Sequence, residues 1–148
     1  MSKINDHHAT IWIEENHPEN GLFRAYWKDV INNHKGGATL DPDEGEGLRY
    51  EWYYKDGLKD GTSRGWYPNG QLKHICTWYY GKLNGLSTAW HSNGQKDWEV
   101  IFKDGKEDGL YIEWYENGQK RIEGNYKDGE SEGLKTYWHE NGEKTDKL

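Results

Sequence analysis

Few residues in this chain have the types needed for covalent chemistry. The single cysteine, Cys76, is the one candidate thiol nucleophile. Such a nucleophile needs an exposed, activated thiolate with a histidine beside it. Strand alternation instead places Cys76 on the apolar side of its segment. Because free cysteines usually pack as small hydrophobic residues, we expect Cys76 to be buried and unreactive.

Two segments resemble metal sites without completing one. The candidate ligands are the pair His7 and His8 and the acidic residues Asp41, Asp43, Glu44 and Glu46. No further residue completes a zinc-type set around the histidines. The acidic segment lacks the twelve-residue ligand order and the terminal glutamate of a calcium loop. We therefore predict no metal and no cofactor, and we interpret the acidic segment as a surface loop that can contact a basic partner.

Carboxylates are plentiful, but they recur at regular intervals instead of forming one unique pair. Glu99 and Glu123, for example, lie 24 residues apart. A glycosidase needs one defined pair of carboxyl groups. We therefore predict that the protein is not an enzyme. A carbohydrate-active protein is the third alternative, because aromatic faces also stack on sugars.

A 24-residue period governs where all these side chains lie. The recurring residues are Gly61, Gly85, Gly109 and Gly133; Trp66, Trp90, Trp114 and Trp138; and the Asn-Gly pairs at 69–70, 93–94, 117–118 and 141–142. A second glycine series, mostly within Lys-Asp-Gly, runs in phase at 57, 81, 105 and 129. A fixed period of this length indicates a repeat architecture with one supersecondary unit in each copy.

The turn residues predict the secondary structure of each 24-residue copy. Asn-Gly and Asp-Gly between β-forming runs favour the tight type I′ hairpin, because Asn, Asp and Gly adopt positive φ at least cost. Two turns in each copy give two antiparallel strands. We predict an all-β fold, an antiparallel meander of tandem β-hairpin repeats that forms an elongated, curved single sheet. Gly85, Gly109 and Gly133 are expected to mark bulges or bends.

Alternation along each strand predicts two faces. The predicted core face combines first-strand residues with second-strand residues: Leu110, Ile112 and Trp114 with Trp98, Val100 and Phe102. The predicted opposite face is polar and aromatic, and it includes Tyr111, Glu113 and Tyr115.

The repeats do not fill the chain evenly. Residues 1–46 form a divergent N-terminal cap with an irregular acidic loop, and a strand is expected at 9–13. Residues 47–148 carry a short copy at 47–60, full copies at 61–84, 85–108 and 109–132, and a partial copy at 133–148.

The unit G-L-x-x-x-W-[YH]-x-N-G-Q-K, followed by [YF]-K-D-G-K-x-x-G, resembles the MORN-repeat-variant family, whose bacterial members are commonly labelled YwqK-like antitoxins. The resemblance covers 47–148 well and 21–46 weakly. It implies β-hairpin repeats in an extended curved sheet and no catalytic residues. Family members also occur as generic binding modules.

Charge and composition narrow the partner class. The net charge is −7, which disfavours nucleic acid and anionic lipid as partners. No signal peptide, membrane span or disulfide framework is visible, so we expect a cytoplasmic protein. Basic proteins, including nuclease toxins, are the partners that this charge would attract.

Protein binding is therefore the leading hypothesis, with an antitoxin or immunity protein as its specific form. The expected binding residues are Tyr111, Tyr115, His91, Tyr137 and His139 on the polar face, and Asp41, Asp43, Glu44 and Glu46 in the loop. Each of them can equally be a cross-strand pair that stabilises the sheet. The alternative function is a scaffold or self-assembling module that associates through open edges or exposed aromatic residues.

Overall fold

The computed structural model describes residues 18–26 and 48–146, which form twelve strands and contain no helix. The strands are β1 (Gly21–Tyr26), β2 (Leu48–Lys55), β3 (Leu58–Lys59), β4 (Gly61–Trp66), β5 (Leu72–Tyr79), β6 (Lys82–Leu83), β7 (Gly85–Trp90), β8 (Lys96–Lys103), β9 (Lys106–Trp114), β10 (Lys120–Lys127), β11 (Glu130–Trp138) and β12 (Lys144–Thr145). The pair His7 and His8 and the predicted strand at 9–13 lie outside these residues.

All the described strands belong to one open antiparallel sheet. Its order is β1-β2-β4-β5-β7-β8-β9-β10-β11-β12, while β3 pairs with β2 and β6 with β5. Apart from the short strands β3 and β6, neighbours in this order are consecutive in the sequence, and from β2 onwards successive strands are joined by short turns. The predicted all-β meander of tandem hairpins is confirmed.

The Asp-Gly turns have the predicted conformation. Asp104 and Gly105 have φ values of 51° and 84°, and the Lys103–Lys106 pair closes the two-residue loop. Both central residues have positive φ, as a type I′ turn requires. Tyr80 adopts the same conformation, with a φ of 48°, at the position where the other copies have Asp.

The Asn-Gly loops differ from the prediction of a type I′ turn. Among the described residues, the glycine of each Asn-Gly pair has positive φ and the asparagine does not. In the 115–119 loop, the Gly118 N–H donates to the Tyr115 carbonyl oxygen at 2.9 Å, and Asn117 Oδ1 accepts from the Gln119 N–H. This is a four-residue turn, 115–118, whose last residue is a left-handed glycine and in which the asparagine acts through its side chain.

The predicted bends occur at the glycines that open the copies. Gly85 and Gly109 have φ values of 96° and 136°. Pairing between β8 and β9 is irregular opposite Gly109, between Val100 and Phe102. A Cβ on Gly109 would lie 3.2 Å from Ile101, so both the space and the backbone there favour glycine.

One additional residue follows three of the four Asn-Gly loops, and it places the second strand's side chains on the face opposite to the predicted one. In β8, Lys96 pairs with Trp90 but Trp98 pairs with Ala89, so Asp97 is a bulge residue. Lys73 and Arg121 occupy the same position in β5 and β10. A one-residue slip turns every following side chain to the other side of the sheet.

The predicted core face is therefore wrong in its combination of strands. Trp98 pairs with Ala89 and with Glu113, whereas Glu99 pairs with Thr88 and with Ile112. Directly opposite residues share a face. We call the side with Trp98, Val100 and Tyr111 the front face, and the side with Glu99 and Ile112 the back face.

The most buried aromatic cluster lies at the N-terminal end of the sheet. Tyr50, Trp52 and Tyr54 in β2 are 5–7% exposed, and Phe23 of β1 packs against them. Glu51, between Tyr50 and Trp52, binds Arg24 Nε at 2.9 Å and Arg64 at 3.2 Å. Because Arg24 lies in β1 and Arg64 in β4, one carboxylate joins three strands.

Both rims of the sheet carry hydrogen bonds between successive copies. On the Asp-Gly rim, the Gly105 N–H donates to Leu83 O and the Gly129 N–H donates to Glu107 O, at 2.8 and 2.9 Å. On the Asn-Gly rim, Asn93 donates to the carbonyl oxygen of Glu116 at 2.8 Å. The copies are thus joined at both ends of their strands as well as along the ladders.

Candidate functional site

Two adjoining features of the front face form the candidate site. One is a polar groove between the 91–97 and 115–121 segments, and the other is an aromatic cavity between β5, β7 and β8. The bulge residue Asp97 lines both. The site therefore lies where the additional residue interrupts the regular ladder.

Ring hydrogen bonds between copies position one wall of the polar groove. His91 Nε2 lies 3.1 Å from the Trp114 carbonyl oxygen and 3.5 Å from Asp97 Oδ1. Tyr115 Oη donates to the Trp138 carbonyl oxygen at 2.8 Å. The polar atoms of these rings are engaged with the neighbouring copy. Arg121 Cζ lies over one face of the Tyr115 ring, 5.8 Å from its centroid, which leaves the opposite face for a partner.

Glu113 lines the groove and binds two other side chains of the front face. Its carboxylate accepts a hydrogen bond from Tyr111 Oη at 2.8 Å and forms an ion pair with Arg121. Burial and this hydrogen bond raise the pKa of the Tyr111 hydroxyl, which therefore stays protonated at neutral pH. The arrangement presents a fixed, neutral phenol beside a carboxylate that is already paired.

The outer wall of the groove carries unpaired acidic side chains. Glu116 and Glu140 are exposed, and among the described residues neither carboxylate forms an ion pair. Their main-chain carbonyls accept hydrogen bonds from Asn93 and Asn117, both at 2.8 Å, which fixes their backbone. Together with Asp97, which lies beside His91, the groove is lined by three carboxylates that an external cation can approach. We call the whole polar groove between the 91–97 and 115–121 segments the acidic groove.

The cavity beside the acidic groove is largely apolar. It is a half-open cavity of about 270 Å³, and its lining includes Trp78, Trp90, Trp98 and Phe102. Burial raises the pKa of the Cys76 thiol, and the nearby Trp78 indole offsets part of this shift. The raised pKa keeps the thiol protonated at neutral pH, but Cys76 is half-buried and not fully buried as the sequence predicted, and its low reactivity stays a prediction.

The structure brings together some of the predicted binding residues. His91 and Tyr115 line the acidic groove, and Tyr111 contacts it through Glu113. Tyr137 lies on the front face one copy further along, opposite Ile122, and His139 is exposed at the following loop. The predicted loop contacts, Asp41, Asp43, Glu44 and Glu46, fall outside the described residues. Partner binding by any of these residues stays a prediction.

Sequence reasoning missed Asp97 and Arg121, because the bulge that turns them towards the site has no signal in a single copy. Another signal was present in the repeats. Ser87 and Ala89 stand where the next copy has Tyr111 and Glu113. This loss of side-chain volume at two alternate positions indicates a cavity, and it is visible when the copies are aligned.

Some kinds of site do not occur in residues 18–26 and 48–146. This part of the chain contains no group of three or more His, Cys, Asp or Glu residues placed to hold a metal ion. It also contains no helix with the length and apolar character needed to cross a bilayer.

Comparison with known families supports the repeat assignment. Residues 59–80 and 107–128 match the family described as MORN repeat variant. Both segments begin two residues before a bend glycine and end one residue before a tight-turn glycine, and they lie two copies apart. A search of curated proteins found no match to this chain.

Proposed function

We propose that this array of MORN-variant repeats is a non-enzymatic binding module whose acidic groove receives a basic surface of a protein partner. The observation that carries the proposal is the set of three approachable carboxylates, Asp97, Glu116 and Glu140, beside the ring of Tyr115. Aromatic rings combined with charges of one sign are typical of protein interfaces.

The charge of the whole chain supports a basic partner. A net charge of −7 accelerates encounter with a positively charged protein and repels nucleic acid. In the groove itself, Arg121 is paired with Glu113, so its charge is largely neutralised. The remaining carboxylates therefore set the sign of the local potential.

Within this function we propose an antitoxin role, in which the groove covers the active surface of a basic toxin. Nuclease toxins are suitable targets, because a surface that binds phosphate must be positively charged. The charge complementarity supports this role, and so does the resemblance to a family whose bacterial members are labelled antitoxins.

The test is affinity capture from the native lysate at low salt, read by mass spectrometry. The wild-type chain is compared with the double variant Glu116→Gln/Glu140→Gln, whose carboxylates make no ion pair in the described structure. We expect one stoichiometric basic protein with the wild type and at least about tenfold less with the variant. The association rate should fall steeply with added salt.

A matched control separates the groove from net charge. Glu130→Gln/Glu132→Gln removes two exposed carboxylates from β11 and changes the total charge by the same amount. Equal losses for both double variants would show that overall charge, and not the groove, attracts the partner. Capture of no basic protein by the wild type would contradict the proposal.

A scaffold function is the second candidate, and one observation favours it. Within the described residues β12 pairs only with Tyr137 and Trp138 of β11, and Leu134 in β11 is 97% exposed. Open strand edges with exposed apolar residues promote association. Light scattering should then show a mass that rises with concentration and returns to the monomer in Leu134→Lys. A constant monomer mass would remove this candidate.

A further inference from the structure

The aromatic cavity arises from a departure within the repeat. In the 109–132 copy, Tyr111 packs edge-on against Tyr126, with ring centroids 5.8 Å apart. In the 85–108 copy, Ser87 takes the position of Tyr111 and Phe102 that of Tyr126. The missing phenol ring leaves open space beside Phe102. The cavity therefore includes the place that a phenol ring fills in the next copy.

One polar atom in this apolar lining has no hydrogen-bond partner among the described residues. It is Ser87 Oγ, which is both a donor and an acceptor. The Ser87 residue is 2% exposed. An unpaired buried polar group is costly, and beside a cavity it is a ready hydrogen-bond partner for a bound molecule.

We infer that this cavity binds a phenol ring. A ligand hydroxyl group pairs with Ser87 Oγ, which can donate to it or accept from it. The rings of Trp98 and Phe102 supply the apolar contact surface. A volume of about 270 Å³ accommodates a substituted single ring, since a cavity of roughly 150 Å³ already binds benzene.

The charged residues that line the cavity do not favour a ligand of either charge. Lys73 and Asp97 both line the cavity and carry opposite charges. Specificity should therefore come from the hydroxyl group and the planar ring. This inference goes beyond protein binding by the acidic groove, and it does not depend on that function.

The test uses p-cresol, which is the tyrosine side chain as a free molecule, and toluene, which lacks the hydroxyl. Binding is followed in the full chain by the NMR signal of the Trp78 indole N–H, assigned with Trp78→Phe. We expect saturable binding of p-cresol that shifts this signal, and binding of toluene about tenfold weaker or less. Toluene binding as tight as p-cresol binding would overturn the inference.

Three variants test whether the ligand binds in this cavity. Ser87→Tyr introduces the residue that the next copy accommodates on the same backbone, and it should abolish binding by filling the cavity. Leu86→Tyr places the same residue on the other side of β7, and it should leave binding unchanged. Ser87→Ala keeps the space and should reduce the preference for p-cresol over toluene. Binding that persists in a folded Ser87→Tyr variant would contradict the assignment.

Two sources could supply a phenol: a free small molecule, or a tyrosine side chain of another protein. The capped peptide acetyl-Gly-Tyr-Gly-amide, compared with its phenylalanine counterpart, distinguishes them. Binding of both p-cresol and the tyrosine peptide assigns the cavity to a protein side chain. Binding of p-cresol alone assigns it to a free phenol, and binding of neither overturns the inference. The Glu116→Gln/Glu140→Gln variant should bind p-cresol as tightly as the wild type does. A failure of the phenol-binding inference can therefore be distinguished from a failure of the proposed protein binding by the acidic groove.

Discussion

The hydroxyl of Tyr115 donates a 2.8 Å hydrogen bond to the main-chain carbonyl oxygen of Trp138, one copy further along the sheet. Tyr67 makes the same bond to Trp90, and the His91 ring contacts the corresponding carbonyl. The ring at this position therefore joins neighbouring copies whatever else it does. Any contribution of Tyr115 to partner binding must be separated from this contribution to stability.

Removing the Tyr115 hydroxyl should weaken the sheet slightly. We expect Tyr115→Phe to lower the free energy of unfolding by about 0.5–1.5 kcal/mol, because one hydrogen bond is lost and the ring remains. Urea denaturation measures the change. Tyr80→Phe, at a position that is 58% exposed, is the control and should have little effect. Equal stability of wild type and Tyr115→Phe would show that the bond contributes nothing.

Glu51→Gln should loosen the N-terminal strand. The Glu51 residue is 8% exposed and binds Arg24 and Arg64, whereas both arginine side chains remain partly solvated. We expect a loss of about 1.5–3 kcal/mol, the range for hydrogen bonds to charged groups. Hydrogen exchange should accelerate first in β1, which Arg24 ties to the sheet.

The exposed residue Glu130 provides the comparison for this variant. Glu130→Gln removes the same charge from β11 and should leave both the stability and the exchange of β1 unchanged. Faster exchange throughout the sheet of Glu51→Gln, with no preference for β1, would contradict the role given to Glu51.

The ion pair between Asp108 and Lys127 should depend on pH. Its 2.7 Å hydrogen bond lowers the pKa of Asp108 below the usual value of 3.8. A lowered pKa means that the pair stabilises the fold fully above the usual value and loses its effect as the pH falls through the lower, folded value. Asp108→Asn should thus be less stable than wild type at pH 7, with the difference vanishing in acid.

A thermal melt series from pH 7 to pH 2 measures this difference. Asp104→Asn, in the adjacent exposed turn, is the control, because Asn also tolerates positive φ there. A stability difference for Asp108→Asn that stayed constant down to pH 2 would show that it does not come from the charged pair.

The Cys76 thiol should react slowly with alkylating reagents. Burial raises its pKa, so the reactive thiolate is scarce at pH 8, and the thiol lines the aromatic cavity. We expect iodoacetamide to modify the native chain much more slowly than the chain in urea, and p-cresol to slow the native reaction further. Equal rates with and without p-cresol would place the phenol elsewhere.

The fold was predictable because its signals repeat. Gly105 and its equivalents recur every 24 residues beside Asp or Tyr, and the turns there follow directly from that chemistry. The faces were not predictable in the same way. The bulges at Lys73, Asp97 and Arg121 shift the second strand of each hairpin by one residue, and a bulge depends on pairing with another strand.

The candidate site was predicted in part for the same reason. The rings of His91 and Tyr115 were expected at the surface, and their positions in the repeat were enough to find them. Asp97 enters the site only through its bulge, so strand alternation could not place it. To predict the cavity, one has to compare the side-chain volume of Ser87 with that of Tyr111 in the next copy. The hydrophobic pattern alone does not show this difference.

The rim hydrogen bonds repeat every 24 residues, so the chain can gain or lose whole copies without losing these bonds. The same pair of positions is bonded between successive copies, as in Asn93 with Glu116 and Asn117 with Glu140, so these copies offer their neighbours the same donors and acceptors. Loss of residues 109–132 as one block would place the Glu140 carbonyl where Asn93 now finds that of Glu116. Recombination between copies can therefore lengthen or shorten the protein by whole units, and each product keeps its rims connected.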